Sequence, residues 1–259
     1  MGMRIGFIGT GVIASALVNG FCSAGDLDHN IIVSPRNAQR AKELADKYEN
    51  VTVASSNQEV VDKSEWVVLS VVPQLGEEII RPLKFREDHR VVNLMSDRKL
   101  EEIASWIGKT RTLAHVVPLP FAARRIGPIV VYPQDKDVID LFSPIGEVVA
   151  VDSIEKVRAL QAITAMMSPY YKLLWEVVKW GQRNGLSEKE SMDYTLAFFQ
   201  ALSYEAEHNE KGDLEALAEE MTPGGINEMA YKNIINKNGY EPWIESLDQV
   251  FVRLMNRQY

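Results

Sequence analysis

The sequence has little of what disulfide-rich and metal-binding proteins require. Its one cysteine, Cys22, can form no intrachain disulfide and no thiolate cluster, which suits a reducing compartment. The four histidines lie far apart in the chain, and none has a second ligand at the spacing of a metal site: His29, His89, His115 and His208. We therefore expect no bound metal.

Positive charge is also scarce. The 28 basic side chains are outnumbered by 36 acidic ones, and the resulting net charge of −8 repels nucleic-acid phosphates and acidic membrane surfaces. No stretch reaches the ~18 consecutive apolar residues that a membrane-spanning helix needs. Arg4, Gly6 and Gly9 interrupt the apolar run that a secretion signal requires. We expect a cytoplasmic protein that binds neither nucleic acid nor membrane.

The chain does contain enough apolar material for two domains. Its 259 residues, 46% of them hydrophobic, exceed the ~100–200 residues of one ordinary domain. We expect domains over residues 1–152 and 153–259. In the first, β-branched runs alternate with helical patterns, which predicts an α/β fold with a doubly wound parallel sheet. The predicted strands cover residues 4–8, 30–33, 51–54, 66–72, 90–95, 112–117, 128–132 and 148–151.

After Asp152 the strand signal disappears and helical patterns follow one another, which predicts a helical second domain. The predicted helices cover residues 154–167, 169–184, 187–207, 213–220 and 225–236. Gly185 is placed to end one helix, and Ser187 with Glu190 forms a capping box for the next. Several aromatic residues fall on these helices at spacings that suit burial in a core or a subunit interface: Trp175, Trp180, Phe198 and Phe199.

The strongest chemical signal is a glycine motif, Gly9-Thr10-Gly11-Val12-Ile13-Ala14, between the first predicted strand and a helix over residues 12–23. Gly9 allows the tight turn, Gly11 has no Cβ to keep a diphosphate away, and Ala14 lets helix and strand approach. The amides at the helix start then face the anion. The motif predicts a dinucleotide site. The alternative is a glycine-rich turn that binds no ligand.

The end of the second strand indicates which dinucleotide binds. An acidic residue there accepts hydrogen bonds from the ribose hydroxyls of NAD, but Ser34-Pro35-Arg36-Asn37 contains no acid. Arg36 falls in the predicted first turn of a helix, where a cation is unfavourable unless an anion such as a 2′-phosphate binds beside it. We predict NADP (NADPH) rather than NAD. In the alternative interpretation Ser34 is a helix N-cap, Pro35 lies in the first turn and Arg36 faces solvent.

Two further segments look suited to a ligand. Ser70-Val71-Val72-Pro73-Gln74 leaves a central strand at its carboxyl end, where doubly wound sheets bind their ligands. Thr222-Pro223-Gly224-Gly225-Ile226-Asn227 lies between two predicted helices, and its tandem glycines leave backbone amides open to a carboxylate. The second segment is equally compatible with a plain interhelix turn.

These segments occur in the order and spacing of the pyrroline-5-carboxylate reductase family, which the chain resembles over nearly its whole length. The resemblance implies a Rossmann domain, a helical domain that dimerises, and hydride transfer from NAD(P)H to a cyclic imine carbon. The glycine motif and the resemblance together predict cofactor contacts from Gly9, Thr10, Gly11, Val12, Ile13, Ala14, Ser34, Arg36, Asn57, Val72 and Pro73. The resemblance implies substrate contacts from Ser168, Pro169, Thr222, Gly224 and Gly225.

The substrate segments depart from the family pattern. Met166 and Met167 precede Ser168 where small polar residues are typical, and Ile226-Asn227 follows the tandem glycines where hydroxyl residues are typical. Val117-Pro118-Leu119-Pro120-Phe121 replaces Met-Pro-Asn-Thr-Pro, and Val72 replaces a lysine. Either the imine substrate has changed or the site draws its donors from Ser168, Asn227 and the glycine amides. We expect Asn227 and Tyr171 to orient the imine and the developing amine; Tyr171 is equally compatible with a packing role.

Two other functions remain open. One is a β-hydroxyacid dehydrogenase in which Lys172 polarises a carbonyl, although a solvated helix position suits this lysine better. The other is a non-catalytic NADP-binding sensor or scaffold, which the altered substrate segments would fit. NADPH oxidation with imines and with oxo acids separates the three.

Overall fold

The structure, a computed structural model, describes residues 2–23, 28–209 and 212–256. The described residues divide into two compact units, one ending at Val157 and one running from Arg158 to Asn256. Within the described ranges, no helix is both long enough and apolar enough to cross a membrane.

The first unit is built on one twisted sheet. Among the described residues its strands are β1 (Arg4–Ile8), β2 (Asn30–Val33), β3 (Val51–Val53), β4 (Trp66–Leu69), β5 (Arg90–Asn93), β6 (Thr112–Val117), β7 (Pro128–Tyr132) and β8 (Glu147–Ala150). Their order is β3-β2-β1-β4-β5-β6-β7-β8, and β1 to β6 are parallel. The predicted doubly wound α/β fold is thereby confirmed. Strand β4 ends at Leu69, three residues before the predicted Val72.

The last two strands differ from the prediction of an entirely parallel sheet. β7 pairs antiparallel with β6, and β8 runs parallel to β7. A parallel return needs a crossover of about a dozen residues or more, whereas residues 118–127 between β6 and β7 form only a short 3-10 helix, Pro120–Arg124, and its flanks. The chain therefore turns back on itself.

Helices cover both faces of the sheet. They are α1 (Val12–Cys22), α2 (Ala38–Lys47), α3 (Asn57–Lys63), α4 (Gly76–Ile80), α5 (Leu100–Ile107) and α6 (Lys136–Phe142). Successive strand residues point to opposite faces, so Phe7 packs in the core with α1 whereas Ile8 packs in the other core with α3 and α5. All four residues of β4 are buried, as expected of a central strand.

The strand order reverses beside β1. β1 pairs with β2 on one side and with β4 on the other. Helix α1, in the crossover from β1, and helix α3, in the crossover to β4, therefore lie on opposite faces of the sheet. This topological switch opens a crevice at the carboxyl ends of β1 and β4, which is where doubly wound sheets bind ligands. The glycine motif lies at that edge.

The second unit is helical in all its described elements. Helix α7 (Ile154–Thr164) crosses the division between the units, and α8 (Met167–Arg183), α9 (Glu188–His208), α10 (Leu214–Glu219), α11 (Ile226–Ile235) and α12 (Glu241–Met255) follow. Gly185, at φ +96°, separates α8 from α9, and the predicted capping box of Ser187 and Glu190 is present. Helix α12 is absent from the sequence prediction, which stopped at Asn236.

Much of the apolar surface of the second unit is exposed. Trp180 is 60% exposed and Tyr194 is 73% exposed, and Tyr194 stacks on Phe198, which is itself exposed. Burial in the core of this unit, one of the two roles predicted for Trp175, Trp180 and Phe198, is therefore wrong, and the subunit interface remains. Such exposed apolar faces are characteristic of surfaces that pack on another protein.

Candidate functional site

The turn after β1 accepts only glycine at its first position. Gly9 has φ +95°, a region that residues with a Cβ rarely occupy. A Cβ built on Gly9 would lie 2.4 Å from the carbonyl oxygen of Ser70. The Ser70 amide in turn donates to the Ile8 carbonyl over 2.8 Å, so the ends of β1 and β4 are held together too closely for a side chain.

Space opens two residues later, at Gly11. Gly11 is the N-cap of α1, no side chain caps this helix, and a Cβ built on Gly11 would meet no heavy atom within 4 Å. Ala14, three residues on, is completely buried. The helix start thus presents open amides with a clear approach, which is what a diphosphate requires and what a packing turn does not. These residues fit a dinucleotide.

Ser34 stabilises the glycine turn by hydrogen bonds. Its Oγ accepts a hydrogen bond from the Gly9 amide over 2.9 Å, and Thr10 Oγ1 donates to the Ser34 carbonyl over 3.0 Å. Both side chains are buried, Ser34 at 1% exposure. The alternative role of Ser34 as a helix N-cap is wrong, because its hydroxyl bonds to the turn and not to α2. The role of Thr10 as a second tie was not foreseen.

Arg36 lies before helix α2, not in its first turn as predicted. The helix begins at Ala38, and Asn37 is its N-cap, accepting from the Arg40 amide over 3.3 Å. The reason is that an Asn side chain caps as well as Ser does. Arg36 is exposed and, among the described residues, makes no hydrogen bond or ion pair. Its guanidinium therefore remains open to a ligand anion.

Glu59 organises the loop that connects β3 to α3. Asn57, predicted to contact cofactor, is the half-buried first residue of α3, and Ser56 caps the helix. Glu59 Oε2 accepts from both the amide and the hydroxyl of Ser55 over 2.7 and 2.5 Å. Hydrogen bonds from Lys63 and Ser55 lower the pKa of Glu59 to about 2. The carboxylate therefore stays charged and orders the loop that carries Asn57.

A guanidinium fixes the turn after β4. Val72 is 55% exposed, and Pro73 begins a 3-10 helix, Pro73–Leu75. Arg98 donates to the Pro73 carbonyl from Nε over 3.1 Å and from a terminal nitrogen over 2.9 Å. Sequence analysis missed Arg98, because nothing in the local pattern around it indicates a contact 25 residues away.

Two polar residues are buried at the ends of β5 and β6. Asn93 Nδ2 lies 3.2 Å from His115 Nδ1, and Asn93 Oδ1 accepts from the Met95 amide over 3.0 Å. Asn93 is fully buried and His115 nearly so. His115 is thus a buried histidine whose ring nitrogen lies at hydrogen-bond distance from Asn93. Within the described ranges no group of three or more His, Cys, Asp or Glu residues is placed to hold a metal ion.

In the second unit the tandem-glycine loop starts α11. Gly224 has φ +74°, Gly225 is the N-cap, and the Gly225 amide donates to the Thr222 carbonyl over 2.9 Å. The Gly224 amide donates to Glu228 Oε2 over 2.7 Å. Two amides predicted to be open for a carboxylate are therefore engaged within the loop. Asn227, in the first turn, is exposed.

The other predicted substrate residues start α8. Ser168 and Pro169 are exposed, and Tyr171 is 52% exposed with its ring tilted against Tyr170. Pro169 also lines a cavity of about 210 Å³ with Met166, Pro242, Trp243 and Ser246. Lys172 pairs with Glu176 on the outside of α8. This pairing and exposure agree with a solvated helix position for Lys172.

The predicted residues thus separate into two sets. The eleven cofactor residues all belong to the first unit, at or near the carboxyl ends of β1 to β4. The predicted substrate residues, together with Asn227 and Tyr171, belong to the second unit, on the segments that start α8 and α11. The tertiary structure adds Arg98 and Glu59 to the first set and Glu228 to the second.

Several known proteins are similar to this chain in sequence or in fold. The model of the family described as NADP oxidoreductase, coenzyme F420-dependent, matches residues 4–97. A pyrroline-5-carboxylate reductase from Pseudomonas aeruginosa is 25% identical over 252 residues, covering 93% of this chain and 92% of that protein. The structure of a pyrroline-5-carboxylate reductase from Coxiella burnetii matches with a TM-score of 0.87 at 20% identity, over 100% of both chains. The structure of the Plasmodium falciparum pyrroline carboxylate reductase with NADP bound matches with a TM-score of 0.80 at 16% identity, over 98% of each chain.

Proposed function

We propose that this chain, as a divergent member of the pyrroline-5-carboxylate reductase family, is an NADPH-dependent oxidoreductase that reduces the C=N bond of a small cyclic imine. One observation carries the proposal: the open space at Gly11, between a turn that only glycine can make and a helix whose first amides no side chain caps. Likeness in sequence to a pyrroline-5-carboxylate reductase over nearly the whole chain supports the reaction class.

The first unit supplies the cofactor site. The amides at the start of α1 would hold the diphosphate, with Gly9, Thr10 and Ser34 keeping the turn in shape. Arg36 is the cation for a 2′-phosphate, since its side chain is exposed and no acid stands beside it at the end of β2. Asn57 and the Val72-Pro73 turn border the same edge of the sheet. Bound NADPH supplies the hydride.

The second unit supplies the groups that hold the imine. Ser168, Pro169, Thr222 and the tandem glycines would border it, and Asn227 and Tyr171 would orient its ring and nitrogen. The hydride adds to the imine carbon and forms the new C–H bond. The π electrons of C=N become the amine lone pair, and the nitrogen keeps a proton that it has drawn from water. Because imines are readily protonated in water, no strong acid is needed, and orientation is the main task of these residues.

We also propose that the chain forms a homodimer, or a larger homo-oligomer, through its helical domain of residues 153–259, and works in the cytoplasm. The exposed rings of Trp180 and Tyr194 support a second copy as the partner of this face. Size-exclusion chromatography with light scattering measures the mass of the oligomer. Trp180→Glu should shift the mass toward that of a monomer, and an unchanged mass for this variant and for Tyr194→Glu would contradict the interface.

NADPH oxidation with a panel of cyclic imines and of 2-oxo and 3-oxo acids tests the reaction class. We expect oxidation with imines. Oxidation with the 2-oxo or 3-oxo acids alone would instead indicate the dehydrogenase with Lys172, and binding of NADPH without any oxidation would indicate a sensor. Absence of NADPH binding at millimolar concentration would remove the basis of the proposal.

A further inference from the structure

A carboxylate of the chain itself lies in the tandem-glycine loop. Glu228, in the first turn of α11, accepts the Gly224 amide hydrogen at 2.7 Å through Oε2. Its other oxygen accepts from the Lys232 ammonium at 2.7 Å. The side chain is 27% exposed, so it folds back over the loop rather than extending into water.

This contact changes what the loop can bind. An anion at a helix start needs free amide donors. Here the Gly224 amide donates to Glu228 and the Gly225 amide donates to the Thr222 carbonyl. Ile226, 86% exposed, follows the glycines and offers no side-chain donor. A ligand carboxylate would have to displace Glu228 from Gly224 or bind beside it.

The charge of Glu228 opposes a second anion. The hydrogen bond from Lys232, and then the one from the Gly224 amide, lower the pKa of this carboxyl, so it is ionised at neutral pH. A substrate carboxylate within a few ångströms of it would meet a like charge. Residues 222–228 contain no lysine or arginine to attract a substrate carboxylate, and Lys232 binds the other oxygen of Glu228.

We propose that Glu228 determines substrate specificity by taking the place of a substrate carboxylate, so that the imine reduced by this protein carries no carboxylate beside its C=N bond. The proposal rests on the proposed function, because it concerns the imine that the second unit holds. The substrate class is then a cyclic imine without a carboxylate group, and Glu228 enforces it because its own carboxylate already accepts the Gly224 amide hydrogen.

Steady-state kinetics with two five-membered imines, 1-pyrroline and its 5-carboxylate, test this. For the unaltered protein we expect kcat/KM for 1-pyrroline to exceed that for the carboxylate by at least about tenfold. Glu228→Gln keeps an acceptor for the Gly224 amide but removes the charge, and should raise kcat/KM for the carboxylate, relative to that for 1-pyrroline, at least about fivefold. Glu188→Gln, an exposed first-turn acid of α9, is the matched control and should change neither.

A binding measurement separates this inference from the reaction class. Calorimetry of the NADP⁺ complex with proline and with pyrrolidine needs no turnover. Tighter proline binding in Glu228→Gln, with pyrrolidine binding unchanged or weakened, supports the role of Glu228. This conclusion holds even if neither imine is reduced, because the absence of reduction would overturn only the reductase function. Preference for the carboxylate imine in the unaltered protein, or equal changes with both ligands in Glu228→Gln, would overturn the role of Glu228.

Discussion

Ser34 Oγ accepts a hydrogen bond from the Gly9 amide over 2.9 Å and so ties the end of β2 to the turn after β1. The hydroxyl that sequence analysis assigned to the cofactor is thus already engaged in shaping the turn. The two residues are 25 positions apart and both lie at the edge where the strand order reverses.

Ser34→Ala should therefore weaken the binding of NADPH and the binding of NADH alike. Loss of one buried hydrogen bond costs about 1 kcal/mol, which corresponds to roughly a fivefold rise in both dissociation constants. Calorimetric titration measures them, with Ser105→Ala on the exposed side of α5 as the control. A loss confined to NADPH would show that Ser34 contacts the 2′-phosphate directly.

Gly11→Ala should separate cofactor binding from folding. The added methyl group meets nothing within 4 Å in the protein, so the free energy of unfolding should change by about 1 kcal/mol or less. The methyl would occupy the approach to the α1 amides, and the dissociation constant for NADPH should rise at least about tenfold. Thermal unfolding and titration give the two quantities.

Gly9→Ala is the contrasting variant, because its methyl would clash with Ser70 and its φ is +95°. It should lose stability as well as binding. Equal stability losses in the Gly9 and Gly11 variants would contradict the open space at Gly11.

Arg36→Ala should remove the preference for NADPH. An arginine bonded to a phosphate contributes on the order of 1.5–3 kcal/mol, so the NADPH dissociation constant should rise about tenfold or more while that for NADH stays the same. Lys42→Ala, an exposed cation of α2, is matched in charge and should alter neither constant. An unchanged ratio of the two constants in Arg36→Ala would exclude this arginine from the phosphate site.

Asn227→Ala should lower turnover with imines and spare the cofactor. Its exposed side chain starts α11 in the second unit, whereas the cofactor residues lie in the first. We expect kcat to fall about tenfold or more, the scale of a lost orienting contact, with an unchanged dissociation constant for NADPH. Asn233→Ala, further along α11, controls for helix stability. Parallel losses of turnover and NADPH binding would rule out the assigned role.

The protein should lose stability on mild acidification through His89. This side chain is fully buried, and burial, then the charge of Arg86, lower its pKa below 6.5. As pH falls below about 6.5, the unfolded chain therefore takes up a proton on His89 while the folded chain does not. The stability contributed by the neutral imidazole is complete above that pH and declines as pH falls further. Burial lowers the pKa of His29 in the same direction.

Urea unfolding at pH 7.5 and 5.5 measures this loss as a fall in the midpoint. His89→Gln should reduce the difference between the two pH values, whereas His208→Gln, at an exposed helix end, should keep it. A midpoint that rises on acidification would have the wrong sign for a neutral buried imidazole.

Local features of the fold were predictable because neighbouring residues produce them. The bounds of β1, β2, β6 and β7 agree with the runs of β-branched residues. The start of α1 after Gly11 and the capping box of Ser187 with Glu190 also agree, since each involves residues within one turn. The contact of Glu228 with Gly224 is equally local, at four residues' separation, but the glycine pattern predicts amides that donate to a ligand and gives no sign that a nearby carboxylate accepts from one of them.

The sequence by itself determined the alternation of strands and helices, the glycine turn and the helical second unit, because periodicity and backbone preference act over a few residues. Only the tertiary structure decided that Ser34 shapes the turn, that Arg98 clamps Pro73, and that β7 turns back against β6. Each of these joins backbone that is distant in sequence or depends on the length of a connection, and a hydrogen bond forms only where folding has brought donor and acceptor within about 3 Å.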